Sequence, residues 1–334
     1  MDRLCLLLFF TACFLSTHAG VQGIGVNYGL LGDNLPPPGQ VIALLKSRNV
    51  QKIRIFDPNT NVLKALEGSG VEVVVGVRNE DLQQLAADPS FAKSWVSTNV
   101  VPHSSSVKFT YISAGNEVIP GPSATYVLGA MQNLDAALQA ANIAIPVSTV
   151  VSLQVLGSSY PPSSGAFSDN TTMRPIAAFL AAKKSPLLVN VYPYFAYIGD
   201  PTNVPLDYAL LQGTANGVDD GTNHYTTLFD AMVDATYAAL EKVDGSAVEV
   251  VVSETGWPSA ENGDVATINN AQTYVNNVIA HVSSGQGTPK RRGKAVETFL
   301  FALFNEDLKP AGTEQNFGLY HPDMTEVYHV NFPA

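Results

Sequence analysis

A regular alternation of short apolar runs with helix-like segments is the feature that most constrains this chain. Eight runs read as strands, and most are continuously apolar, as strands buried on both faces are. In chain order they are GIGVNYG, KIRIFDP, VEVVVGVRN, FTYISAGNEV, PVSTVVS, LLVNVYPYF, VEVVVSETGWP and TFLFALFNE. Between them, apolar residues recur at helical spacing, as at Val127, Met131, Leu134 and Leu138. The pattern predicts the α/β class and a single closed (β/α)8 TIM barrel.

One long segment interrupts this alternation. Residues Ala196 to His224 are rich in Gly, Asp, Asn and Pro, and they follow the sixth strand. Loops of this length inside a compact domain are usually functional. Since it leaves the carboxyl end of a barrel strand, we predict an elaborated loop that rises above the barrel mouth and walls one side of a groove. No linker rich in Ser, Gly or Pro divides the chain into domains.

An open doubly wound sheet is the alternative architecture. Its usual marker is a G-x-G-x-x-G turn. Here Gly23, Gly25 and Gly29 have the wrong spacing, and Asn27 and Tyr28 stand where the close approach of a phosphate needs small residues. The barrel therefore fits the sequence better.

Composition narrows the range of partners. Of 334 residues, 46% are hydrophobic and 14% are charged, which is typical of a chain with a large core. The net charge of −11 argues against nucleic acid and against anionic membranes, both of which favour a basic surface. A neutral polysaccharide is compatible with this charge, and we expect a monomer.

The first residues have the pattern of a secretory signal. Arg3 supplies the positive start, Leu4 to Leu15 the apolar stretch, and Thr17-His18-Ala19 a small-residue cleavage site. We expect a signal over residues 1–19, with cleavage as late as residue 23, and a catalytic domain over residues 24–334. The apolar run is too short for the alternative, a membrane anchor.

The expected export of the protein affects how its cysteines and its glycosylation sequon are interpreted. Both cysteines, Cys5 and Cys13, lie in the expected signal, so the mature chain would have no thiol for catalysis or metal binding. Asn170 begins the N-glycosylation sequon Asn170-Thr171-Thr172. Such sequons also arise by chance, and the sequence leaves its use open.

Two glutamates carry the strongest functional signal. Glu117 and Glu254 each follow a strand-like run, the fourth and the seventh. Active sites of parallel barrels lie at the carboxyl ends of the strands, so both carboxylates can face the barrel mouth. A matched acid and nucleophile is what cleavage of a glycosidic bond requires. By contrast, the chain contains neither the H-E-x-x-H motif of zinc proteases nor the G-x-S-x-G motif of serine hydrolases.

The motifs AGNEV and VVSETGWPS resemble the two catalytic motifs of the plant β-1,3-glucanases of glycoside hydrolase family 17. IGVNYG, NVYPYFAY and FNEDLKPAGTEQNFGLY extend the resemblance over nearly the whole mature chain. The resemblance implies a barrel and a retaining endo-acting hydrolase. It also implies that Glu117 is the general acid/base, that Glu254 is the nucleophile, and that Asn116 holds a sugar hydroxyl.

The resemblance assigns supporting roles near the C-terminus. It implies that Glu306, Lys309 and Glu314 belong to the site, although Glu314 lies one residue closer than in the family pattern. Lys309 is expected either beside Glu254 or in an ion pair with Glu306. Asn27 stands where many relatives have Cys, and we expect it to serve packing alone.

Aromatic residues supply the expected sugar-contacting surface, because flat rings suit the CH faces of pyranoses. Tyr192 and Tyr194 would share one face of the sixth strand, and we assign that face to the cleft. Phe195 is then left for packing or for the groove wall. The remaining candidates near strand ends are Tyr28, Trp257 and Phe304.

The sequence thus predicts a secreted retaining endo-β-1,3-glucan hydrolase of the apoplast or cell wall, with a β-glucan as partner and no metal or cofactor. The resemblance suggests a role in plant defence or in wall remodelling. Three alternatives stay open: a mixed-linkage 1,3;1,4-β-glucanase, a transglycosylase on the same fold, and a non-catalytic glucan-binding wall protein.

Overall fold

The structure is a computed structural model, and it describes residues 24–213 and 217–333. The expected signal, residues 1–19 with cleavage as late as residue 23, lies outside these residues. Eight parallel strands close into a barrel, in which each pairs with its neighbours in the sequence and the first pairs with the last. They are β1 (Gly25–Asn27), β2 (Lys52–Ile55), β3 (Glu72–Val77), β4 (Lys108–Asn116), β5 (Val147–Ser152), β6 (Leu187–Asn190), β7 (Val250–Thr255) and β8 (Thr298–Leu300). The predicted TIM barrel is confirmed.

Helices surround the barrel, and five of the ten named below begin after a capping side chain. They are α1 (Pro38–Ser47), α2 (Thr60–Leu66), α3 (Leu82–Ala87), α4 (Pro89–Asn99), α5 (Ala124–Ala140), α6 (Asn170–Lys183), α7 (Pro193–Gly199), α8 (Leu206–Ala209), α9 (Leu228–Lys242) and α10 (Ile268–Ser283). Side chains that accept hydrogen bonds from first-turn amides are Asn59, Asp88, Asp169, Thr227 and Thr267. Over residues 24–213 and 217–333, no helix is both long and apolar enough to cross a membrane.

The core has two layers because strand residues alternate between the faces of the barrel wall. One large apolar cluster fills the space between strands and helices. A smaller one fills the barrel interior: Val74, Val150, Leu188, Val251 and Phe299. Gly25 makes room for this inner layer, since a Cβ atom there would lie 2.3 Å from the ring of Phe299. The interior is therefore packed and leaves the chemistry to the mouth.

Loops at the carboxyl ends of the strands are elaborated on one side. The segment predicted as irregular after β6 contains α7, α8 and an antiparallel pair, Val218–Asp220 with Asn223–Tyr225. The loop after β5 carries a second pair, Leu156–Ser158 with Ala166–Phe167. After β8, the chain up to residue 333 forms a 3₁₀ turn, Thr313–Asn316, and no α-helix. The eighth repeat of the barrel thus lacks its helix.

Candidate active site

Glu117 and Glu254 line one cavity of about 1160 Å³ at the carboxyl ends of the strands. Local irregularities turn both carboxylates inward. In β7, Val251 faces the barrel interior, and simple alternation would point Glu254 outward. The register shift between Val252 and Glu254 reverses that orientation, as β-bulges do. Glu117 itself has φ of 55°, in the left-handed region, directly after the end of β4.

The carboxylate of Glu254 is held at both oxygens. Arg54 of β2 donates to one oxygen at 2.5 Å, and the hydroxyl of Tyr192 donates to the other at 2.8 Å. Arg54 is 1% exposed and Glu254 is 6% exposed, so this ion pair is buried. The second terminal nitrogen of Arg54 donates to Asn116 at 2.7 Å. A buried cation therefore links the ends of β4 and β7.

Asn27 completes the support of Arg54. Its amide donates to the backbone oxygens of Ser253 and Leu300, and its own oxygen accepts from Arg54 at 3.1 Å. The expectation that Asn27 serves packing alone was wrong. Its side chain lies in the barrel interior, where a polar group needs hydrogen-bond partners, and it uses them to hold the guanidinium in place.

Glu117 has different surroundings. Its carboxyl accepts one hydrogen bond from the amide of Asn190, at 2.9 Å. Ser253 donates to the other end of the Asn190 side chain at 2.8 Å, which fixes the direction of the amide. Burial is the largest cause that raises the pKa of Glu117, and the negative charge of Glu254 adds to it. The hydrogen bond from Asn190 and the charge of Arg54 act in the opposite direction.

Around the carboxylates, the cavity wall is aromatic. Tyr192 and Phe195 line it, together with Phe301 and Phe317. The last two were missed by sequence reasoning, although Phe301 lies in the eighth strand-like run and Phe317 in the motif that follows it. Tyr192 contacts the other three edge to face, with ring centroids 5.3–6.0 Å apart.

The expectation that Tyr194 shares the cleft face with Tyr192 was wrong. Strand alternation ends at Asn190, and α7 begins at Pro193, so the strand period does not apply. Tyr194 is buried beneath the cavity against Trp257. Trp257 is fully buried as well, and its indole nitrogen donates to a backbone oxygen, that of Val265. These two rings support the aromatic wall from behind.

Two further candidates, Tyr28 and Phe304, are also buried. Their rings contact each other edge to face, with centroids 6.3 Å apart. They pack where β1 and β8 meet. Asn116 lies beside Arg54, and its backbone exchanges hydrogen bonds with the side chain of Asn79. Its contact with a sugar hydroxyl stays a prediction.

Glu306 and Lys309 form an ion pair at 3.2 Å, so the structure selects that alternative for Lys309. Arg54 takes the position beside Glu254 instead. The carboxylate of Glu306 also accepts from the amide of Leu31 at 2.7 Å, which ties the loop after β1 to the loop after β8. Glu314, in contrast, lines the cavity, and its charge contributes to the raised pKa of Glu117.

The cavity extends well beyond the carboxylates. Part of its lining comes from the end of β5 and the loop that follows it, including Ser152, Tyr160 and Pro162. A further part comes from the segment after β6, including Tyr192, Phe195, Asp200, Tyr208 and Val218. The predicted elaborated loop thus walls one side of the groove. A volume above the usual 300–1,000 Å³ of small-ligand sites suits a polymer segment.

Comparison with known proteins agrees with this geometry. The sequence model of Glycosyl hydrolases family 17 matches residues 24–332. The glucan endo-1,3-beta-glucosidase of Vitis vinifera is 50% identical over 322 residues, which cover 94% of this chain and 92% of the relative.

Two solved structures share the fold at high identity. CJP38, described as a beta-1,3-glucanase and allergen of Cryptomeria japonica pollen, has a TM-score of 0.90 and 47% identity, and the match covers 93% of this chain and 99% of CJP38. A structure reported among two plant beta-glucan endohydrolases with distinct substrate specificities has a TM-score of 0.88 and 43% identity, covering 92% of this chain and 100% of its own. The chain therefore belongs to glycosyl hydrolases family 17.

Proposed function

We propose that this glycoside hydrolase is an endo-acting β-1,3-glucanase that retains anomeric configuration, with Glu254 as nucleophile and Glu117 as general acid/base. The proposal rests on one observation: two carboxyl groups line the same cavity, and their surroundings favour different protonation states. Glu254 accepts from a guanidinium and a phenol. Burial and a nearby negative charge raise the pKa of Glu117. A fixed carboxylate beside a readily protonated one is the arrangement that double displacement uses.

In each of the two steps, Glu254 makes or breaks its bond to the sugar while Glu117 gives up or takes a proton. Glu254 attacks the anomeric carbon and forms a covalent glucosyl-enzyme, while Glu117 gives its proton to the departing glycosidic oxygen. Glu117, now ionised, takes a proton from water, and the resulting nucleophile displaces Glu254. Two inversions at the same carbon give net retention.

The choice of substrate is supported by the cavity and by the relatives. Phe195 is exposed on the groove wall and offers apolar surface to the face of a sugar ring, and the largely buried rings of Phe301 and Phe317 form the wall behind it. The relatives from Vitis vinifera and Cryptomeria japonica are both named as enzymes that act on 1,3-linked glucan. We therefore propose internal β-1,3 linkages as the bonds that are cleaved.

Proton NMR of the digestion of laminarin and of barley-type mixed-linkage glucan tests this proposal. We expect laminarin to be cleaved preferentially, with the β-anomer of the new reducing end appearing before mutarotation. The α-anomer as first product would contradict retention. Preferential cleavage of the mixed-linkage glucan would favour a 1,3;1,4-β-glucanase, and products longer than the substrate would favour a transglycosylase. Binding without cleavage would identify a glucan-binding protein.

The pH profile of kcat/KM is expected to fall on its alkaline side as Glu117 ionises. Because the acid must be protonated in the free enzyme, activity is present below its raised pKa and is lost as pH rises through it. Asn190 opposes the increase in this pKa, so Asn190→Ala should move the alkaline limb to higher pH. Initial rates on laminarin across the pH range give the position of the alkaline limb in the unaltered protein and in the variant. A shift towards lower pH in the variant would contradict this role of Asn190.

We further propose that the protein is exported to the apoplast or cell wall and acts there as a monomer, in defence or wall remodelling. The signal-like residues 1–19 support export, and Asn170, the first residue of α6, is exposed and accessible for a glycan. N-terminal sequencing of protein from the medium of expressing plant cells tests the cleavage site. Size-exclusion chromatography tests the oligomeric state.

A further inference from the structure

Tyr160 is a large aromatic residue that lines the cavity while most of its surface stays in solvent. Its exposed fraction is 74%, although the ring belongs to the same cavity as Glu117 and Glu254. It lies on the loop after β5, whereas the rings beside Glu254 come from the segment after β6 and the chain after β8. An exposed ring at a cavity wall offers a flat apolar face to a ligand.

The loop that carries Tyr160 is fastened to its neighbours directly after the ring. Asp220, in the antiparallel pair after α8, accepts from both the amide and the hydroxyl of Ser163, each at 2.6 Å. Lys242 of α9 donates to the backbone oxygen of Ser164 at 2.8 Å. These contacts hold the segment without covering the ring, so little conformational entropy is lost when a ligand meets it.

Close backbone packing adds to this attachment. Gly165 lies against α9, where a Cβ atom would be 2.0 Å from the backbone oxygen of Ala235. Only glycine permits this approach. The wall that bears Tyr160 is therefore fixed to α9 and to the antiparallel pair after α8.

The neighbouring segment after β6, which contains Asp220, presents polar groups to the same cavity. Asp200 and Asn203 line the cavity and are exposed, and the amide of Asn203 donates to both oxygens of Asp200, at 3.1 and 2.9 Å. Hydroxyl groups of a sugar can bond to such carboxylate and amide groups while its CH face lies on an aromatic ring. The groove thus combines an exposed aromatic ring with polar groups on two neighbouring loops.

We propose that Tyr160 is a stacking platform for a glucosyl unit of the β-1,3-glucan chain away from the cleaved bond, and that it makes turnover depend on chain length. The inference rests on the proposed glucanase function. Within the part of the chain that the structure describes, Tyr160 makes no ring contact with Tyr192, Phe195, Phe301 or Phe317, the aromatic wall beside Glu254. We therefore expect a short oligosaccharide bound at the carboxylates to fall short of the platform and a longer chain to reach it. Tyr160 is therefore a specificity-determining residue, and it takes no part in the chemical steps.

Kinetics of Tyr160→Ala on laminari-oligosaccharides of increasing length, and on laminarin, test the proposal. We expect kcat/KM to fall about tenfold for laminarin and the longest oligosaccharides, the size of effect expected for one lost stacking ring. The shortest cleaved oligosaccharide should keep its kcat/KM. Tyr160→Phe retains the ring and should behave like the unaltered protein at every length. Ile268→Ala removes an exposed apolar side chain of α10 outside the cavity lining and should change no rate.

An equal loss at all chain lengths, or no loss at any length, would overturn the role of Tyr160. Failure of the glucanase proposal has a different signature, since the unaltered protein would then not cleave laminarin. In that case, calorimetric titration with laminarin still tests the platform. Tyr160→Ala should weaken binding by about the same factor, and unchanged binding would refute it.

Discussion

Glu254→Gln is expected to lower kcat on laminarin by about 10⁴- to 10⁶-fold, the range seen when a catalytic nucleophile is removed. The substitution keeps the shape of the side chain but replaces the attacking carboxylate by an amide. The amide oxygen can still accept from Arg54, and its NH2 group can donate to the hydroxyl of Tyr192. Folding and binding of laminari-oligosaccharides should therefore be preserved. Steady-state rates and calorimetric titration measure the two effects separately.

Glu261→Gln is the matched control for this experiment. Glu261 follows the same strand, but its side chain is exposed and outside the cavity lining. We expect its kcat to be unchanged. If Glu254→Gln kept more than about one hundredth of the original kcat, a carboxylate nucleophile at this position would be ruled out, because no uncharged amide sustains such turnover.

Arg54→Met should have the largest effect on stability. Arg54 is 1% exposed, and its removal would leave Glu254 as a buried carboxylate without a cation. Loss of one partner of a buried ion pair typically costs about 3–5 kcal/mol of unfolding free energy. Asn27 and Asn116 would each lose a donor as well. Urea unfolding measures the loss, and kcat/KM should fall by orders of magnitude because the nucleophile is no longer positioned.

An exposed pair provides the comparison. Arg174 forms an ion pair with Asp244 on the surface, and Arg174→Met should cost no more than about 1 kcal/mol.

A variant with both Arg54→Met and Glu254→Gln separates the loss of the ion pair from the loss of packing around Arg54. In the Glu254→Gln background the cost of Arg54→Met should shrink, since a neutral side chain no longer needs the cation. Strictly additive costs would show that Arg54 stabilises the fold independently of Glu254.

The predictable parts of the fold are those that depend on short stretches of neighbouring residues in the sequence. Eight apolar runs gave the strands and their order, because buried parallel strands need continuous apolar residues. The positions of Glu117 and Glu254 followed from the rule that active sites lie at the carboxyl ends of barrel strands. Glycines and polar residues after the sixth strand indicated the elaborated loop, although not the short elements inside it.

What escaped prediction depends on contacts between distant strands. Within KIRIFDP, Arg54 looks like one more alternating polar residue, and only the closed barrel brings it to Glu254 and Asn116. Asn190 is equally inconspicuous in LLVNVYPYF, yet it donates to Glu117. Tyr194 was misplaced for a local reason, because a helix beginning at Pro193 ends the period-two pattern on which its orientation was based.

Closure of the barrel pairs a strand near the start of the polypeptide with one near its end, and this determines when the domain can finish folding. β1 pairs with β8, and the contact between Leu31 and Glu306 spans 275 residues. On the ribosome, the first strand therefore waits for one of its neighbours until nearly the entire polypeptide has been synthesised. Contacts of such long sequence separation slow folding. A nascent chain halted before Thr298 would leave the edges of β1 and β7 unpaired and prone to aggregation. Premature termination near the end of translation is therefore expected to prevent folding of the whole domain, and not only of its last segment.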